Sequence, residues 1–152
     1  MKKFRANKAT GYIWAAVLAA VILLLYVILN PPTDYEAEPA AMEISAEDLY
    51  YKFADYAHEA GDRFEGQMIE ITGSVSSVEQ IQDLVVVTFS FEEGFFGREG
   101  VRCNMLENHR EKALELSPGQ NVRLKGLCTG FSGSDVILEY CSFPEESKNG
   151  MR

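Results

Sequence analysis

The chain has 152 residues, 23 of them acidic and 14 basic, for a net charge of −9 with neutral histidines. Four of the basic residues, Lys2, Lys3, Arg5 and Lys8, precede an apolar run, leaving ten against all 23 acids, a net of −13, for the rest. A body of that sign repels phosphate backbones and argues against generic nucleic-acid binding, and its length suits one hydrophobic core rather than two.

Residues 1–10 read as a basic cytoplasmic tail and Gly11 to Leu29, GYIWAAVLAAVILLLYVIL, as a membrane-spanning helix. Nineteen uncharged residues at about 1.5 Å each reach roughly 28 Å, enough for the hydrocarbon core. Tyr12 and Trp14 lie near one end and Tyr26 near the other, while cations precede the run and Asp34, Glu36 and Glu38 follow it. The positive-inside rule then leaves the N-terminus in the cytoplasm and the bulk of the chain outside, as a single-pass signal anchor of the inner membrane. No A-x-A cleavage site occurs in the first 45 residues, and Pro31 and Pro32 end the helix.

Residues 30–44 lack an apolar period and read as an extended linker. Ser45 is an expected helix N-cap and Gly61 the stop, with Leu49, Phe53, Tyr56, Ala57 and Ala60 on one stripe. Met68 to Val78 alternates as a first strand interrupted by Gly73. Leu84 to Phe91 is a second, and EEGFFGREG a loop. Val101 to Leu106 is a third strand, Asn108 to Leu116 a short helix, Asn121 to Gly130 a fourth strand and Val136 to Phe143 a fifth, with 144–152 a flexible tail. Strands one to three, a helix, then strands four and five is the layout of the five-stranded OB barrel, here mainly β with an extra N-terminal helix over residues 45–143.

The segments FEGQMIEITGSV, GVRCNM and LSPGQNVRLKGLCTGFSGSDVILEYCSF resemble the bacterial tRNA-anti-like OB-fold family. The resemblance spans Ser45 to Phe143 and rests on Gly66, Gly73, Cys103, Pro118 to Gln120, Gly126 to Gly130 and Val136 to Cys141. It implies an OB fold, often behind a membrane anchor, and no particular activity.

His58 and His109 have no zinc-type spacing around them, and no nucleophile elbow, H-x-E pattern or phosphate-cradling loop occurs, so neither metal, cofactor nor enzyme activity is expected. Three cysteines face a compartment where disulfides persist. A two-residue turn at Ser134 and Asp135 sets Cys128 opposite Cys141; alternatively Cys103 meets Cys141 where the barrel closes, or all three are buried thiols. Phe95 and Phe96 in the glycine-punctuated loop, and Arg102, Arg123 and Lys125 on the outer face of strands three and four, are the candidate partner-binding residues. The expected function is a membrane-tethered, extracytoplasmic binding or scaffolding module for a protein or peptide of the cell envelope. The alternative is an oligonucleotide- or oligosaccharide-binding OB domain.

Overall fold

The computed structural model describes residues 8–31, 33–95 and 97–144. It separates into two compact units, residues 1–33 and 34–152. The first holds helix α1, Lys8–Leu29. Its stretch Gly11–Leu29 is long and apolar enough to cross a membrane, and its side chains are exposed. The helix ends where the Asn30 amide and side chain both donate to the Tyr26 carbonyl, capping an acceptor that Pro31 cannot help to satisfy.

The second unit contains strand β1 (Met42–Ser45), helix α2 (Ala46–Phe64), and strands β2 (Met68–Ser74), β3 (Ser77–Ile81), β4 (Leu84–Gly94) and β5 (Gly97–Met105). A 3-10 turn (Glu107–His109), helix α3 (Arg110–Leu114), β6 (Asn121–Phe131) and β7 (Asp135–Ser142) complete it. All seven strands form one sheet in the order β1-β2-β6-β7-β5-β4-β3. The expected five-stranded OB barrel is therefore corrected to an open seven-strand sheet with β1 and β3 at its edges. Two local events raise the strand count. The first strand breaks at Val75 and Ser76, not at Gly73, and there the chain leaves β6 and joins β4. Val75 is held at that break by amide and carbonyl bonds to the Gln120 and Gly119 backbone. Gly73 is needed for space, since a Cβ would lie 3.0 Å from the Phe89 ring and 3.1 Å from Ala46 Cβ.

The other added strand comes from the segment expected to be an extended linker. Residues 34–45 instead lie along the sheet as a strap. Met42 to Ser45 run parallel to Ile69 through Thr72, and the Ala41 amide donates to the Met68 carbonyl at 2.7 Å. The strap gave little strand signal because only Met42 and Ile44 alternate as apolar residues packed on the core, and its other ties are backbone and polar bonds.

Ser45 caps α2 as expected, its hydroxyl accepting from the Asp48 amide at 3.0 Å. Gly61 does not stop the helix, which continues to Phe64 because that ring is buried against Phe53. A kink at Tyr56 (φ −139°, ψ 56°) shifts the phase of the stripe. Tyr56 is thus exposed, while Ala46, Leu49, Tyr50, Phe53, Ala60 and Phe64 are buried. Each of the larger apolar side chains contributes about 2–3 kcal/mol by leaving water. They meet Ile69, Ile71, Val85, Val87, Phe89, Val101, Leu124 and Leu138 from the inner face of the sheet.

Candidate binding faces and family

Strand alternation sends Arg102, Arg123 and Lys125 to the outer face, as the sequence predicts, but β7 lies between β5 and β6 and keeps Arg102 apart from the other two. Each cation is also engaged within the domain. The Arg102 Nε is 3.2 Å from a carboxylate oxygen of Asp135, whose other oxygen accepts from the Gly100 amide at 3.1 Å. Arg123 forms a close ion pair with Glu70 and a second, at 3.7 Å, with Glu43 on β1. Glu70 is buried, so Arg123 neutralises a charge that would otherwise be costly there. Lys125 Nζ donates to two strap carbonyls, Glu36 at 2.7 Å and Glu38 at 2.8 Å.

The strap is fastened again by Glu36. Its side chain accepts from Asn108 at 2.8 Å and lies 2.7 Å from His109 Nε2. The Phe143 amide points to His109 Nδ1 at 3.5 Å, so Nδ1 accepts and Nε2 carries the proton toward Glu36. The hydrogen bond from His109, then that from Asn108, hold the Glu36 carboxyl below the usual carboxylate range. Nearby, Tyr35 stacks on Tyr140 with centroids 4.0 Å apart and planes 6° off parallel. The other histidine, His58, is exposed on α2 and 3.9 Å from Asp62.

The stretch expected as a loop, Glu92 to Gly100, is largely a ladder: Glu92 pairs with Glu99, Glu93 with Arg98 and Gly94 with Gly97. Phe95 sits at its tip, 95% exposed, and Phe96 lies outside the described residues. Helix α2 pins this hairpin through Tyr50 to Glu99 at 3.0 Å and Tyr51 to Glu92 at 2.8 Å. Burial first and the Glu99 bond second push the Tyr50 phenol up to about 12.

All three cysteines are buried free thiols. Cys128 lies opposite Leu138, not Cys141, because two register shifts between β6 and β7 move the pairing. That corrects the Cys128–Cys141 alignment drawn from a two-residue turn. Cys103 and Cys141 are close enough for their thiols to interact, and burial above all, with Cys103 beside it, keeps the Cys141 thiol well above its ordinary range. Burial likewise pushes the Cys128 thiol up to about 11. Among the described residues no group of three or more His, Cys, Asp or Glu is placed to hold a metal ion.

Residues the sequence did not single out proved central. Glu70 falls on an outward position of a strand that pairs with that of Arg123, the cation already singled out, which was the available signal. The tie from Glu36 to His109 joins positions too distant for any local pattern. Three open hollows flank these groups: one of about 590 Å³ beside the strap (Asp34, Glu36, Glu70, Lys125), one of about 390 Å³ between α3 and β6 (Lys112, Leu116, Val122, Phe143), and one of about 420 Å³ on the outer face near Leu84, Leu106 and Tyr140.

Comparison with known proteins bears on the fold. A protein of Klebsiella pneumoniae subsp. pneumoniae MGH 78578, provisionally described as a nucleic acid-binding lipoprotein, is similar at TM-score 0.53 and 14% identity. The alignment covers 73% of this chain and 97% of that one, which shows a shared fold. The S. pombe Stn1-Ten1 complex aligns at TM-score 0.37 and 17% identity over 52% of this chain and 59% of its own, too loosely to carry an argument. A search of curated proteins gave no match. The tRNA_anti-like family model matches residues 2–142, and with the OB-type arrangement of the second unit and the apolar helix ahead of it, the chain belongs to the tRNA_anti-like family.

Proposed function

We propose that the chain is a membrane-tethered binding module whose OB-type domain engages a protein or peptide outside the cytoplasm, and that it is not an enzyme. The observation that carries this reading is the fate of the cations. Arg102, Arg123 and Lys125, the groups a polyanion would need, are engaged by Asp135, by Glu70 and Glu43, and by strap carbonyls. Binding nucleic acid through them would first require breaking those contacts, one of which neutralises a buried carboxylate. The Gly11–Leu29 helix, with cations before it and acids after it, supports a single pass through the inner membrane with the N-terminus inside. In this reading the coiled sheet works as a partly open OB barrel, and Cys103 and Cys141 are the pair that an oxidising compartment could join.

Cross-linking in native membranes, followed by capture of the full chain, tests the reading. Recovery of a defined protein above an anchor-only control supports it, and recovery of none counts against it. A reporter fused after Arg152 that is active only in the cytosol would overturn the topology. The second reading, oligonucleotide binding, draws on the provisional description of the Klebsiella protein. It would prevail if the full chain bound single-stranded nucleic acid with a steep salt dependence that Arg102→Ala with Lys125→Ala abolished.

A further inference from the structure

We infer that the outer face where β4, β5 and β7 come together takes a basic peptide segment through one large apolar side chain. This deepens the partner-binding reading and rests on it. The hollow there holds about 420 Å³ and is walled by Leu84, Leu106 and Tyr140, room for a leucine or an aromatic ring. Ile81, paired with Leu84 across the hairpin turn, widens the apolar surface. The two are 56% and 38% exposed.

Charge selects the occupant. Glu107 and Glu139 line the hollow, and Glu79 and Asp83 stand on the neighbouring β3–β4 hairpin. Among the described residues none of these four acids lies within ion-pair distance of a cation, in contrast with the arginines and the lysine engaged elsewhere. The positive charge of Arg110, which also lines the hollow, offsets only part of them. An apolar floor rimmed by uncompensated carboxylates favours an apolar side chain flanked by lysine or arginine and disfavours a polyanion.

Two further observations point to a peptide. Arg110, which lines the hollow, has its Nε buried without an acceptor among the described residues, an unmet polar group beside the site. Tyr140 has φ +54°, a left-handed conformation that an L-tyrosine adopts only at a cost of about 1–3 kcal/mol, and strain of this kind gathers at ligand clamps. Its ring is braced by the stack on Tyr35, so the strap sets one wall of the hollow.

The test uses the full chain in micelles of an uncharged detergent and a fluorescein-labelled glycine-serine peptide bearing one tryptophan between lysines. Anisotropy is read against an anchor-only protein in the same micelles. Saturable binding is expected, weakened about tenfold by Glu107→Lys and by Leu84→Asp, both exposed positions whose folding circular dichroism checks. A peptide with glutamate in place of lysine is expected not to bind. Equal binding by the glutamate peptide, or no loss with either substitution, overturns the inference. So does a single-stranded oligonucleotide that binds and is lost with Leu84→Asp. If membrane capture recovers the same partner with wild type and with Glu107→Lys plus Leu84→Asp, this face is wrong while the binding-module reading stands. Failure of wild-type capture removes the reading itself.

Discussion

The two sides of the sheet's outer surface treat charge in opposite ways. Around β1, β2 and β6 Glu43 and Glu70 are paired with Arg123, Glu36 accepts hydrogen bonds from His109 and Asn108, and Lys125 donates to carbonyls. Around β3, β4, β5 and β7 Asp135 pairs with Arg102, but the acids Glu79, Asp83, Glu107 and Glu139 have no ion-pair partner among the described residues. The first arrangement holds a strap in place. The second leaves a negative field that Arg110 offsets only in part, which suits the proposed basic partner. A chain with one overall charge can therefore divide into a region where charge stabilises the fold and one where acids stand without ion-pair partners among the described residues.

The sharpest way to break this contrast is Arg123→Ala. It strips the counter-charge from buried Glu70 and should lower unfolding stability by about 2–3 kcal/mol, read by urea denaturation; a change below about 0.5 kcal/mol would mean Glu70 is solvated after all. Next is Lys125→Met, which removes two charge-assisted bonds to the strap. About 1–2 kcal/mol of loss is expected, together with faster amide exchange confined to residues 34–45.

A smaller effect is expected from pH. The Glu36 carboxyl is depressed, so its contribution is full above its ordinary value of 4.5 and is lost as pH falls through its lower folded value. Exchange protection of the strap should fall over that acid window, and His109→Ala should flatten the dependence. A dependence that survives His109→Ala would assign it to another group. Smallest of all, Glu79→Gln should change stability by less than about 0.5 kcal/mol, since no partner is lost. A destabilisation above about 1 kcal/mol would show that the acid-rich side is not idle in the fold.

How much of this was readable beforehand depended on the range of the forces involved. The apolar helix and the strands announce themselves because burial imposes local periods, as in Val85, Val87 and Phe89. The N-cap at Ser45 is local too. The strap was not readable, since Lys125 and Ala41 bond backbone oxygens that leave no trace in side-chain type, and the Glu36 side chain finds Asn108 and His109 more than seventy positions away. The end of α2 was missed because Phe64 needs the core more than Gly61 needs to terminate a helix. The β6–β7 register escaped because two bulges intervene between Lys125 and Gly130, and strand periodicity cannot reveal a bulge. The cation positions were legible and their partners only partly so. Glu70 opposite Lys125 and beside Arg123 follows from pairing once the strands are aligned, whereas the hollow draws on β4, β5, the 3-10 turn, α3 and β7 and has no linear signature.

The lysine on β6 grips main-chain oxygens rather than carboxylates, and such oxygens exist whatever residues supply them. Divergent versions of this protein could thus change the side chain at position 38 freely while keeping the same tie, so long as the cation at 125 remains. An unvarying lysine facing a drifting segment would look functionless in any comparison of side chains, yet it would be the mark of this clasp.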